Sequence, residues 1–387
     1  MPPAPGEEGE GPVSAALARQ LARRSEPDGF LPFDRFMDVA LYGEGIGYYA
    51  RSRSPLGPGG DYYTAPQVHP LFARAVAARV AEVGRAVGGW QGFRIVDLGS
   101  GDGALLAGIV RALSERGEGG GAEAVVVDRT GSRRAEAGRA VAWAASAAGV
   151  AARTVGSLAE LGPVRGVVLA HELLDAQPAR RLRWDGSTWK ELGVRMDRGR
   201  LVPAERPLSG LASAGLPDPP GPNEGELVVE RSPAALALVR EVADHLAEGL
   251  CVLVDYGAEG TALRAGHPRG TLAAVRRHRP AGSAVETPGE VDLSTFVDFT
   301  QVRAAAAAAG LVELSYRPQA EALAGWGLAA DLERLENAMP SSEDKVRLRL
   351  AAKNLLFGFD TFRVLELSAP ASADALGAVS GPSRASS

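Results

Sequence analysis

An α/β chain with a mostly parallel sheet is the fold class this sequence predicts, and three observations carry that expectation. Short apolar, β-branched runs recur through the centre: RIVDLG at 94–99, AVVVD at 124–128, GVVLA at 166–170 and CVLVDY at 251–256. Helical stretches separate them, the pattern of parallel strands joined by crossovers and covered on both faces. The first run ends in a glycine-rich bend, Asp97-Leu98-Gly99-Ser100-Gly101-Asp102-Gly103, placed where a strand gives way to a helix.

The elements follow in chain order. Residues 1–12 are small, acidic and proline-rich and read as a disordered tail. Val13, Leu17 and Leu21 recur at four-residue steps and predict a helix. FDRFMDVALYG sets Phe33, Phe36, Met37, Ala40 and Leu41 on one helical face and stops at Gly43. The stretch GIGYYARSRSPLGPGGDYYTAP is broken by glycine and proline and reads as loop, and the alanine-rich 71–87 reads as helix. A helix through about Leu113 follows the glycine bend. LVVE (227–230) is a further candidate strand, leading to a helix from Pro233 to Glu248. RLRWDG, TWKELGVRM and GRLVPA, between 180 and 210, read as β-hairpin decoration, and the Pro/Gly-rich 207–225 as a surface loop. After 298, a helix and strands near 311–316 and 361–367 close the sheet, and 370–387 reads as a second disordered tail. The expected organisation is a helical and loop region at 13–90, a sheet core at 91–260 with an insertion at 180–225, and an accessory region at 261–369.

Composition removes several function classes. The chain has 387 residues, 45% hydrophobic, with 42 basic against 47 acidic side chains. Glycine (48) and proline (26) make up about a fifth of it, below the level of low-complexity disorder. The single cysteine, Cys251, cannot form an internal disulfide or a thiolate zinc site. No two of the five histidines stand at i, i+4, so no helical histidine metal site is expected. Acids outnumber bases and no basic run meets exposed aromatics, which argues against a nucleic-acid partner. The acidic start has no secretory pattern, and the alanine tract Ala304–Ala309 is too short to span a bilayer. A soluble, cytoplasmic protein without a membrane partner is expected.

The glycine bend is the strongest local signal. Glycines let the backbone turn tightly and approach a ligand with no Cβ in the way. Dinucleotide binders want G-x-G-x-x-G with a pyrophosphate on the helix N-terminus, whereas this bend is G-x-G-x-G and carries carboxylates at Asp97 and Asp102. Those acids repel a phosphate and suit the cationic methionyl portion of S-adenosyl-L-methionine. The next strand ends at Asp128, from which an acid can accept hydrogen bonds from ribose hydroxyls. It stands 25 residues beyond Gly103, a longer spacing than the usual ~20, and the glycines at 117–121 account for the excess. The plainer alternative is a glycine turn in an ordinary α/β protein, with Asp128 capping a helix.

Seven motifs, in order, are similar to those of the MidA-like S-adenosylmethionine-dependent methyltransferases: LYGEGIGYYA (41–50), GDYYTAPQVHPLF (60–72), VDLGSGDG (96–103), HELLDAQPARR (171–181), LVDYG (253–257), TLAAVRRHR (271–279) and PGEVDLSTFVDF (288–299). The resemblance implies a Rossmann-like class I methyltransferase sheet with an N-terminal helical segment, an inserted β-hairpin and C-terminal accessory elements. Mitochondrial members of the group methylate an arginine on a core subunit of respiratory complex I. The resemblance also implies that the 60–66 loop lies against the cofactor, making Asp61 and Thr64 cofactor contacts beside Asp97, Gly99, Ser100, Gly101, Gly103 and Asp128. The chain departs from the group's usual residues at His171 (Asn), Gln177 (Leu), Phe296 (His) and Gln67 (Glu).

The expected acceptor groups follow the strand at 166–170. An arginine acceptor stays charged, with a pKa above ~12, and needs carboxylates to hold its planar fork. Glu172 and Asp175, at i, i+3, would share a face on a helix or tight turn and form such a clamp. The alternative is that Asp175 caps a helix or pairs with Arg180 or Arg181. His171 is either a base for a hydroxyl or amine acceptor or a hydrogen-bonded structural residue. Three readings stand: a methyltransferase for protein arginine, one for a small-molecule nitrogen or oxygen, and a cofactor-binding assembly factor without turnover. An NAD oxidoreductase stands far behind them.

Overall fold

The computed structural model describes residues 14–50, 69–208, 225–276 and 279–380, and the chain divides into two compact units. One comprises Leu56–Leu174, Ala237–Gly257 and Phe299–Ser387; the other comprises Met1–Pro55, Asp175–Leu236 and Ala258–Asp298. The division crosses the expected linear boundaries: the helix within 71–87 belongs with the sheet, and the material outside the sheet unit comes from three separate stretches.

The sheet unit is built on β1 (Arg94–Leu98), β2 (Glu123–Val127), β3 (Ala151–Val155), β4 (Val164–His171), β5 (Leu246–Ala258), β6 (Val312–Pro318) and β7 (Phe362–Ser368), in the order β6-β7-β5-β4-β1-β2-β3. The five strands from β5 to β3 run parallel, while β7 is antiparallel to both β5 and β6. Val96 stands beside Val125 on one side and Val168 on the other, and all three are buried. That is why these strands read as unbroken apolar runs: both faces of a parallel sheet are covered. The helices α1 (Leu71–Ala86), α2 (Ala104–Glu115) and α3 (Gly131–Ala148) pack in succession, α1 on α2 and α2 on α3. The chain leaves β1 toward β2 on one side while β4 lies on the other. In an open α/β sheet, this reversal of strand order is where a ligand crevice opens at the carboxyl ends of the strands.

Close backbone approach occurs at the opposite end of β4 and β5. Gly166 and Gly249 are register partners with φ of 149° and 120°, and a Cβ on Gly249 would sit on the carbonyl oxygen of Gly166. Only glycine fits there.

The second unit holds two antiparallel sheets. In one, Trp189–Asp197 lies between Arg180–Trp184 and Leu31–Pro32, and also pairs with Arg200–Pro207. A buried carboxylate, Glu191, bonds the guanidinium groups of Arg180 and Arg206, and Arg206 also reaches Glu26.

Several expectations are corrected. The strand Leu227–Arg231 is not part of the parallel core: it pairs antiparallel with Arg180–Trp184, and only Leu227 of its residues is buried. The segment expected as a helix to Glu248 is α4 (Pro233–His245), and β5 begins directly at Leu246. The expected hairpin strand at GRLVPA is present as Arg200–Pro207, and of the expected 207–225 loop, 209–224 lies outside the described residues. The expected tail at 370–387 is ordered through 380, as a 3₁₀ turn Pro370–Ser372 and a helix Ala373–Ser380. Leu376 is fully buried there, and the Ser372 hydroxyl accepts the N–H of Gly249. Among the described residues, no helix is long and apolar enough to cross a membrane.

Candidate active site

The carboxyl end of β1 delivers the acid-flanked bend. Gly99, Gly101 and Gly103 have φ of 67°, 57° and 81°, the left-handed region that glycine alone enters without steric penalty. The Gly99 N–H donates to the carbonyl of Val127 at 2.8 Å, tying the bend to β2. A Cβ on Gly99 would lie 2.7 Å from Leu173 Cδ1, and one on Gly103 would lie 2.7 Å from the Ala137 carbonyl oxygen on α3. The bend is thus packed as tightly as its backbone permits. Asp102 Oδ1 accepts the N–H of Ala104 at 2.9 Å and so starts α2.

Asp97 is the electrostatic centre. It is 2% exposed, its Oδ2 has no hydrogen-bond partner among the described residues, and burial pushes its carboxyl up to about 7. The nearby charges of Asp128 and Asp102 push the same way, against an opposing hydrogen-bond contribution from Ser100. The Ser100 hydroxyl also donates to the Asp97 carbonyl at 2.7 Å. An unpartnered buried carboxylate is costly and becomes favourable when a cation arrives. Asp128 closes β2: its Oδ1 accepts the Thr130 N–H at 2.7 Å, and burial raises its carboxyl above the ordinary range. This acid therefore does hold the turn into α3, as the plainer alternative had it. Three clustered acids oppose a pyrophosphate and suit an ammonium or sulfonium with a ribose diol. The residues present fit S-adenosyl-L-methionine. Asp61 and Thr64 lie outside the described residues.

The carboxyl end of β4 supplies the second cluster. His171 packs edge-on against Phe72, ring centroids 4.9 Å apart, and burial pushes its pKa down to about 3. It is uncharged near neutrality, and a base that weak matches poorly to holding a proton. Its Nε2 lies 3.6 Å from Glu172 Oε1. Glu172 takes φ of 51°, a left-handed conformation unusual for a residue with a side chain. The 172–175 segment is a turn and not a helix. Asp175 belongs to the other unit, where its carbonyl accepts the Thr295 N–H at 3.0 Å. Sequence reasoning assigned no role to Asp255, which is 1% exposed at the end of β5 and accepts the N–H groups of Leu173 and Leu174. A charged residue closing the apolar run CVLV was the available signal.

The model of a family of S-adenosyl-L-methionine-dependent methyltransferases, Methyltransf_28, matches residues 71–317. The chain belongs to that family. Its structure superposes with a TM-score of 0.82, at 30% identity, on a COG1565 superfamily member from Burkholderia thailandensis bound to S-adenosyl-homocysteine, covering 95% of each chain. A native crystal structure of a COG1565 superfamily protein from the same organism gives 0.78 at 30% identity, over 95% of this chain and 94% of that one. Protein arginine methyltransferase NDUFAF7, mitochondrial, of Danio rerio is 25% identical over 316 residues, 75% of this chain and 72% of that protein. The Caenorhabditis elegans NDUFAF7 homologue is 24% identical over 368 residues, 88% and 83% of the two. The MidA-like resemblance, the Rossmann-like sheet and the sulfonium cofactor all agree with membership of this methyltransferase family.

Proposed function

We propose that this chain methylates an arginine side chain of a protein. The carrying observation is Glu172, a carboxylate 14% exposed and held in a left-handed backbone at the carboxyl edge of β4, beside a neutral histidine. The names of the NDUFAF7 relatives support the same acceptor. When bound, S-adenosyl-L-methionine supplies an electrophilic methyl group on a sulfonium. Asp97 holds the cationic amino end, the glycine bend of Gly99, Ser100, Gly101 and Gly103 gives it room, and Asp128 accepts from the ribose, with Asp61 and Thr64 as further contacts. Glu172 would accept a guanidinium N–H, orient that nitrogen and take the proton it loses as the methyl–sulfur bond breaks and the N–C bond forms, with adenosylhomocysteine as the leaving group. His171, uncharged, adds no repulsion against a cationic acceptor. Catalysis is chiefly positioning.

Radiolabelled methyl transfer into a cell lysate is the test. The expected result is a labelled protein band that hydrolyses to methylated arginine and disappears with Glu172→Gln. Label confined to the small-molecule fraction would replace the arginine reading with the small-molecule one. Cofactor binding with no label in either fraction would leave an assembly factor. A cytoplasmic place is part of this proposal, whereas the animal relatives are mitochondrial by name; cell fractionation distinguishes the two.

A further inference from the structure

A carboxylate buried at the end of an apolar strand is unfavourable unless its lone pairs are taken. Those of one Asp255 oxygen are taken by the turn that follows β4. Its Oδ2 receives the N–H of Leu173 at 3.2 Å and of Leu174 at 2.8 Å, and its Oδ1 receives its neighbour Tyr256 at 2.9 Å. The N–H of Glu172 goes to the carbonyl of Val254, one residue back on the same strand, at 2.9 Å. Two consecutive residues of β5 therefore hold three consecutive amides of the edge turn. That turn needs holding, because Glu172 sits in a backbone region that side chains rarely adopt. Leu173, the next residue, lies directly on the cofactor bend, within 2.7 Å of where a Cβ on Gly99 would be.

We propose that Asp255 is a positioning residue for methyl transfer: its carboxylate sets the backbone that aims Glu172 and seats Leu173 against Gly99, so that the acceptor edge and the cofactor bend are held as one piece. This rests on the role proposed for Glu172. Asp255 acts through two amides, and its effect on rate exceeds its effect on binding.

The experiment compares Asp255→Ala, which removes both acceptor oxygens, with Asp255→Asn, which keeps one. Turnover is expressed per bound cofactor, so that unfolded protein does not count. Loss of the turn's geometry is expected to lower kcat about 100-fold in Asp255→Ala and less in Asp255→Asn, with cofactor affinity changing less than kcat in both. Hydrogen exchange supplies a readout that needs no acceptor. In the wild-type chain, adenosylhomocysteine slows exchange at the amides of Leu173 and Leu174; in Asp255→Ala these amides exchange faster and no longer respond to the ligand. A lowered melting temperature with unchanged kcat per bound cofactor would overturn the proposal, as would unchanged exchange at the two amides. If the wild-type chain labels no protein, the arginine reading fails on its own, and the exchange measurement still decides Asp255.

Discussion

Replacing Asp97 by asparagine separates what the bend does for the fold from what it does for the ligand. In the folded, cofactor-free chain this carboxyl is raised from 3.8 to about 7. At about 1.4 kcal/mol for each tenfold change, keeping it ionised costs about 4 kcal/mol relative to the unfolded chain. Between these two pH values the folded chain holds a proton that the unfolded chain has released, so this group's contribution to stability falls as pH rises from about 4 to about 7. Asparagine has no such proton. Asp97→Asn should therefore match the wild type near pH 4 and become more stable than it above pH 7, by up to about 4 kcal/mol. Urea unfolding of both proteins at pH 4.5 and 8 measures the difference. Calorimetry should show the opposite for function: S-adenosyl-L-methionine binding weakened at least about tenfold, the loss of a charge-assisted hydrogen bond, and the wild type's proton release on binding at pH 6.5 abolished. A stability difference that does not change with pH would refute the account of Asp97.

Three further outcomes are expected. Because burial lowers His171 to about 3, the pH profile of kcat/KM should show no limb near 6.5 that disappears in His171→Asn; its neutral burial also makes stability fall as pH drops from about 6.5 toward 3, which acid unfolding of the same variant checks. Glu191→Ala strands Arg180 and Arg206 beside an emptied buried site and should cost about 3–5 kcal/mol in denaturant unfolding, without altering cofactor affinity. Asp128→Ala removes the ribose acceptor together with the bond to Thr130; calorimetry should show cofactor binding lost, while thermal unfolding falls by only about 1 kcal/mol, the typical worth of one such capping bond.

What the residues announce and what they conceal divides along burial. RIVDL, AVVV and CVLVDY are legible because strands covered on both faces need unbroken apolar side chains. The bend at 97–103 is legible because only glycine makes that path. β3, AARTV, is an edge strand with four exposed residues, and α3 is so rich in alanine that its apolar face has little contrast. Neither stands out from the sequence. LVVE misleads for the converse reason: its residues have strand propensity, but which sheet they join depends on partners remote in sequence. The alternating, small residues of 370–380 look like a tail until Leu376 is seen buried. Of the site, the acids beside the glycines carry their meaning locally. Asp255 does not, because its two amide partners lie 82 and 81 residues away, and the conformation of Glu172 is set by those contacts and not by its neighbours in the chain.

The position of β7 has a consequence for biosynthesis. From Leu250 to Tyr256 the outer edge of β5, a stretch that includes Asp255, is covered by Phe362–Ser368, and Gly249 near the start of β5 is further bonded by Ser372. While the chain emerges from the ribosome, more than a hundred residues separate an exposed row of β5 amides and carbonyls from the strand that will cover them. Nascent intermediates with such an open edge are prone to pairing with one another. Chains truncated before residue 362 should therefore aggregate rather than yield a smaller working enzyme, because the open edge persists until Phe362–Ser368 has been made.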